Sequence, residues 1–247
     1  TAGEVLQSTD CTILMLADAT AIAETLLTPT AAAALANHTV IQMGTIAPNE
    51  SRHLLAQVTA AGGAYLEAPV LGSIPQVKTG SLIVMVGSTA AQFEQWQPLL
   101  QGLGNQITHI GPVGAGAAVK LAMNQLIGSL TAAFAQSLAL VQREAIAVEQ
   151  FMEIVRHSAL YAPTFDKKLS RMCDRDFAHP NFPTKHLLKD MRLFSQAATT
   201  AGIVPTVADS VAALVEQAIA QGLADQDYSA LYAAVDPLPA AAPEAMG

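Results

Sequence analysis

The chain has 247 residues, room for one large domain or two of ordinary size. At net charge −8, with 51% hydrophobic and 13% charged residues, it argues against nucleic acid or an anionic membrane as a partner. It also carries more apolar material than a small monomer needs to bury, so a homodimer or homotetramer is expected. Cys11 and Cys173 lack metal-ligand spacing and read as free thiols of a reducing, cytoplasmic compartment; no metal is expected. The uninterrupted run of about 18 apolar residues that a membrane-crossing helix needs does not occur. The opening TAGEVLQSTD lacks the basic and apolar regions of a signal peptide, and it lacks an initiator methionine, so the sequence is expected to begin inside a longer chain.

In chain order, Cys11–Leu16 reads as a buried strand, and Asp18 caps the helix after it. Thr39–Met43 is the next strand, followed by Gly44-Thr45 and a helix opening near Pro48. Tyr65–Val70, Leu82–Val86 and Ile107–Ile110 are three more strands, with a Thr89-capped helix before the last. Strands alternating with helices predict a doubly wound α/β sheet over residues 1–118, equally compatible with an open sheet that binds no nucleotide. From Lys120 onward the pattern is helical: a long helix to about Ala147, then helices near Val148–His157, Thr164–Met172, Thr184–Ala201, Thr206–Gln221 and Tyr228–Val235. This predicts an all-helical domain over residues 119–236 and a disordered Pro/Ala-rich tail over 237–247. Arg52 and Lys78 are the only lysine or arginine before Lys120, so the C-terminal half supplies most positive charge for any anionic ligand.

Between the fifth strand and the long helix lies Gly111–Asn124, GPVGAGAAVKLAMN. Its three glycines permit a tight turn or a close backbone approach. Lys120 and Asn124, four apart near the helix start, share one face. The helix dipole and an apolar neighbourhood both push the lysine pKa down, toward proton donation near neutral pH. The same spacing also fits a lysine that snorkels from a buried helix to water.

Three motifs, in order, resemble those of the β-hydroxyacid dehydrogenases. Glu67–Gly87, EAPVLGSIPQVKTGSLIVMVG, resembles the family's substrate-binding signature; the glycine turn with K-x-x-x-N resembles its catalytic motif; and Lys189-Asp190 resembles its C-terminal K-D motif. Within the family, E-x-P-V-x-G-S and the stretch from Phe182 to Asp190 are similar to the glyoxylate/succinic semialdehyde reductases. The resemblance implies a Rossmann-like oxidoreductase that reduces a small aldehyde acid, or oxidises the hydroxy acid, with NADP or NAD, NADP being favoured. It implies Lys120 as proton donor to the aldehyde oxygen and Asn124 as holder of that oxygen. It implies Gly72 and Ser73 in a loop of backbone donors for the substrate carboxylate, and Phe182 and Asp190 at the substrate end. Leu16, Ala17 and Thr45 are implied to pack by the nicotinamide, and Lys189 to reach the cofactor.

Taken without the resemblance, Thr45 and Ser73 also read as ordinary caps, Phe182 as a core anchor, and His186 with Asp190 as a surface pair. Cys173 reads as structural. Leu71 stands where the family usually has serine, which leaves substrate identity open. The family's opening G-x-G-x-x-G turn, whose backbone donors hold the pyrophosphate, does not occur in the sequence. The sheet is therefore expected to lack its first β-α-β unit, and these 247 residues alone to bind NADPH or NADH weakly. Two rival functions are a non-catalytic dimeric scaffold and an imine reductase.

Overall fold

The computed structural model describes residues 1–237. The expected disordered tail lies, from residue 238 on, outside them. The chain forms two compact units: residues 1–125 with 193–205, and residues 126–192 with those from Thr206 on. This division differs from the one expected at residue 118. Residues 193–205, the end of the helix Thr184–Thr200 and the stretch after it, belong to the first unit.

The first unit runs α1 (Ala2–Ser8), β1 (Cys11–Leu14), α2 (Ala19–Leu26), α3 (Pro29–Ala33), β2 (Thr39–Gln42), α4 (Pro48–Ala60) and β3 (Ala64–Glu67). It continues through β4 (Val70–Leu71), α5 (Ile74–Lys78), β5 (Leu82–Gly87), α6 (Ala90–Gln101), β6 (Gly104–Gly111) and the start of α7 (Ala115–Arg143). Local chemistry sets these bounds. Asp18 Oδ1 accepts the Ala21 N–H at 2.8 Å and starts α2. Thr28 caps α3 with Pro29 in its first turn. Pro69, which has no N–H to donate, separates β3 from β4, so the expected strand Tyr65–Val70 is two strands.

The helices pack on both faces of the sheet. Val40 and Tyr65 point into a cluster with Ile22, Leu26, Leu35 and Val58, while their neighbours Ile41 and Leu66 point into a second with Val84, Val86 and Leu100. Successive strand residues face opposite sides, so a continuous apolar run serves both cores. Strands β1, β2 and β3 are parallel in that order. β5 then runs antiparallel to β3 and β4, and β6 runs parallel to β5. The reversal follows from the connection. Only the short α5 joins β4 to β5, too little for the crossover a parallel neighbour needs, whereas α6 supplies one to β6. Among the described residues β1 pairs only with β2, and Ile13 and Met15 stand 40% and 59% exposed beside that edge.

The second unit holds the rest of α7, then α8 (Val148–His157), α9 (Pro163–Asp174), the first half of α10 (Thr184–Thr200), α11 (Thr206–Ala220), a 3-10 turn (Tyr228–Ala230) and α12 (Leu231–Val235). The long helix stops at Arg143, short of Ala147, because Ala145 adopts a left-handed φ of 56°. Its Phe134 stacks on Phe165 at 4.7 Å and on Phe151 at 6.4 Å. A side chain at Gly128 would lie 3.0 Å from the Met191 sulfur, so α7 and α10 pack closely here.

Candidate active site

The first unit places Leu16, Ala17 and Thr45 side by side beyond the carboxyl ends of the parallel strands β1 and β2, whose register pairs Leu14 with Gln42. Ligands of open α/β sheets bind at such strand ends. The Met43 N–H donates to the Leu14 carbonyl at 2.8 Å and extends the pairing to the edge of the turn. A Cβ at Gly44 would lie 2.6 Å from the Leu16 carbonyl oxygen, so the two turns touch backbone to backbone. Buried Gln42 clamps this turn: its carbonyl accepts the Gly44 N–H and its amide donates to the Gly44 carbonyl at 3.0 Å. Sequence reading missed Gln42, although a lone amide in an otherwise apolar strand is the available signal.

Gly72 and Ser73 lie between β4 and α5. Gly72 has φ +136°, and a side chain there would also strike Leu82 at 2.7 Å. Ser73 caps α5, and its N–H and hydroxyl both donate to Gln76 Oε1, at 2.9 and 3.1 Å. An anion bound by the Ser73 N–H therefore has to displace the Gln76 side chain.

Lys120 and Asn124 stand one turn apart on one face of α7, Lys120 half-buried and Asn124 2% exposed. The turn before them is built around Glu67, which is fully buried at the end of β3. Glu67 Oε1 accepts the N–H groups of Gly114 at 2.7 Å and Ala117 at 3.1 Å, and Oε2 accepts the Ser51 hydroxyl. Arg52 lays its guanidinium against Gly114, where a Cβ would lie 2.7 Å from it. Neither Ser51 nor Arg52 was legible as part of this turn.

Phe182, Lys189 and Asp190 belong to the second unit. Phe182 is half-buried and meets the Tyr228 ring edge-on at 5.5 Å, while its carbonyl accepts the Tyr228 N–H at 3.0 Å. Lys189 Nζ lies 3.2 Å from Asp190 Oδ1. Asp190 is 2% exposed, which corrects the reading of His186 and Asp190 as a surface pair. Burial holds the His186 imidazole below its ordinary pKa, helped by Lys189 and Lys185 and opposed by Asp190. Against the same Tyr228 ring lies an ion pair that sequence reading missed: Lys168 Nζ donates to both oxygens of Asp227, at 2.7 and 2.9 Å. Among the described residues no group of three or more His, Cys, Asp or Glu could hold a metal ion, and no helix is long and apolar enough to cross a membrane.

Comparison with known proteins accounts for both halves. Residues 1–111 match the family model described as the NAD binding domain of 6-phosphogluconate dehydrogenase. Residues 114–235 match the one described as NAD-binding of NADP-dependent 3-hydroxyisobutyrate dehydrogenase. Glyoxylate/succinic semialdehyde reductase 1 of Arabidopsis thaliana is 32% identical over 195 residues, 79% of this chain and 67% of the relative. The 2-hydroxy-3-oxopropionate reductase of Escherichia coli is 30% identical over 240 residues, 96% of this chain and 81% of the relative. The crystal structure of 3-hydroxyisobutyrate dehydrogenase from Salmonella typhimurium shares the fold, with a TM-score of 0.83 at 24% identity over 94% of this chain and 81% of that one. Across four curated relatives the chain spans 54 to 68% of their length. Two family models that follow one another along the chain, a relative matched over four-fifths of its length and the three motifs in order lead to one assignment: the chain belongs to the β-hydroxyacid dehydrogenase family.

Proposed function

We propose that the protein reduces a small aldehyde acid with a nicotinamide cofactor, NADP being favoured over NAD, and that Lys120 gives the proton to the aldehyde oxygen. The observation that carries this reading is Lys120 and Asn124 on one face of α7, directly after the glycine turn. The residues present fit the cofactor's nicotinamide end: Leu16, Ala17 and Thr45 line adjoining strand ends, and Gln42 fixes their turn. The cofactor supplies the hydride; the protein supplies position and electrostatics. Lys120 donates the proton, Asn124 holds the oxygen beside it, and the Gly72-Ser73 loop offers donors to the carboxylate. Lys189 reaches toward the cofactor, with Asp190 and Phe182 shaping the substrate end.

Phe182, Asp190 and the Gly72-Ser73 loop should favour two- to four-carbon aldehyde acids over phosphorylated sugars, because neighbouring sequence offers no arginine cluster for a phosphate. Steady-state assays with NADPH and NADH on glyoxylate, succinic semialdehyde, 2-hydroxy-3-oxopropionate and 6-phosphogluconate test this. A preference for 6-phosphogluconate over every aldehyde acid would overturn it. A scaffold would turn over none of these, and an imine reductase would prefer cyclic imines.

The helical unit should form a homodimer or homotetramer. Leu126, Leu130 and Leu140 of α7, at i, i+4 and i+14, form one stripe and are 51%, 38% and 63% exposed. Ile154 and Leu160 of the same unit are 72% and 79% exposed. Light scattering at micromolar concentration should give at least twice the chain mass of 25.7 kDa, and a monomer alone would refute the assembly.

A further inference from the structure

We propose that Glu67 is a positioning residue for Lys120: its buried carboxylate, carried by strand β3, fastens the glycine turn and the first turn of α7 and so fixes where Lys120 stands. The proposal rests on the reading of Lys120 as proton donor. Glu67 opens the stretch that resembles a substrate-binding signature, yet its side chain is buried and spends its oxygens on Gly114, Ala117 and Ser51.

The first N–H groups of α7 have no partner within the helix. An ordinary cap comes from a side chain within three residues; here the acceptor comes from 47 and 50 residues away. The backbone is shaped around it. A Cβ at Gly87, the register partner of Glu67, would lie 2.3 Å from Oε1. One at Gly116 would lie 3.2 Å from Oε1 and 2.5 Å from the Met85 carbonyl. Gly114 has φ +100°, which turns its N–H onto the carboxylate. The glycines of the turn thus let a charged group lie under the helix.

The neighbours of Glu67 also define its chemistry. The contacts from Gly114, Ala117 and Ser51 all come from donors, and Ser51 Oγ lies 2.9 Å from the Tyr65 hydroxyl, which completes a chain Tyr65–Ser51–Glu67. Burial pushes the Glu67 carboxyl above its usual range, and the donors from Ser51, Ala117, Gly114 and Gly116 pull the other way. Burial also pushes the Tyr65 phenol up, which keeps it a donor. A negative group at a helix N-terminus is favoured by the dipole as well. Lys120 sits three residues beyond Ala117, so a shift of the first turn moves it directly.

Glu67→Gln keeps the shape but replaces a charged acceptor with a neutral one, which weakens the bonds from Gly114 and Ala117, while its N–H₂ meets the Ser51 hydroxyl. In the purified protein, hydrogen exchange at the Gly114 and Ala117 amides should quicken by about tenfold or more, with β2 and β3 amides unchanged. Turnover should fall by about tenfold or more with KM for the aldehyde acid within about threefold, because misplacing a reacting group costs rate before binding. Ser51→Ala, which removes one donor and keeps the carboxylate, should shift both readouts the same way by less, and it decides the matter should Glu67→Gln not fold. Unchanged exchange at Gly114 and Ala117 in a folded variant would overturn the proposal, as would faster exchange with turnover intact. If Lys120→Ala leaves turnover unchanged, the proton-donor reading fails, while the exchange result still reports on the fastening by Glu67.

Discussion

Lys120→Ala is expected to cut turnover by about 100-fold or more and to leave the fold intact, the usual worth of general acid catalysis. The fold should survive because Lys120 is half-buried in the second turn of α7 and alanine is a strong helix former. The loss should fall on kcat, since the carboxylate donors and the cofactor turn lie on other elements of the same unit. Lys120→Arg separates charge from proton transfer. Arginine keeps the positive charge but does not give up its proton at neutral pH, so this variant should remain slow. Reduction of glyoxylate or succinic semialdehyde at the wild-type rate by purified Lys120→Ala would refute the assignment.

Lys168→Met is expected to destabilise the helical unit by about 3–5 kcal/mol, the cost of leaving one half of a buried ion pair. Asp227 is fully buried and Lys168 8% exposed. The lysine ammonium also lies 4.1 Å from the centre of the Tyr228 ring. Burial pulls the Lys168 amine below its usual pKa, and Asp227 opposes that pull. Without the lysine, Asp227 keeps only donors such as the Ser229 N–H and hydroxyl, at 3.1 and 2.7 Å. The damage should reach the substrate end, because the Asp227 N–H donates to the Phe177 carbonyl and Thr184 donates to the Asp227 carbonyl, on either side of Phe182. The double variant Lys168→Met/Asp227→Asn should recover much of the loss, since removing both charges removes the uncompensated one. Urea unfolding followed by far-UV circular dichroism measures each value. A loss below about 1 kcal/mol for Lys168→Met would show that the pair matters little.

How much of this was legible follows from where each instruction lies. β1, β2 and β5 are near-continuous apolar runs and were read directly, as were the helices of the second unit from their period. The direction of β5 was not, because apolar patterning does not encode it; the short connection through α5 does. α1, α3 and α5 are five to seven residues long, too short for a period to show. Lys120 and Asn124 were legible because four residues separate them on one helix. Glu67 with Gly114, and Lys168 with Asp227, are 47 and 59 residues apart, and only the folded chain brings them together.

The room taken by Glu67 also sets an order on heritable change. While its carboxylate is in place, alanine at Gly87 is closed off, because the new methyl would overlap Oε1. Shortening Glu67 first would open that space but strip the helix of its acceptor. A descendant lineage therefore reaches a side chain at position 87 only through an intermediate with a loosened α7, and positions 67 and 87 drift as a linked pair rather than one at a time.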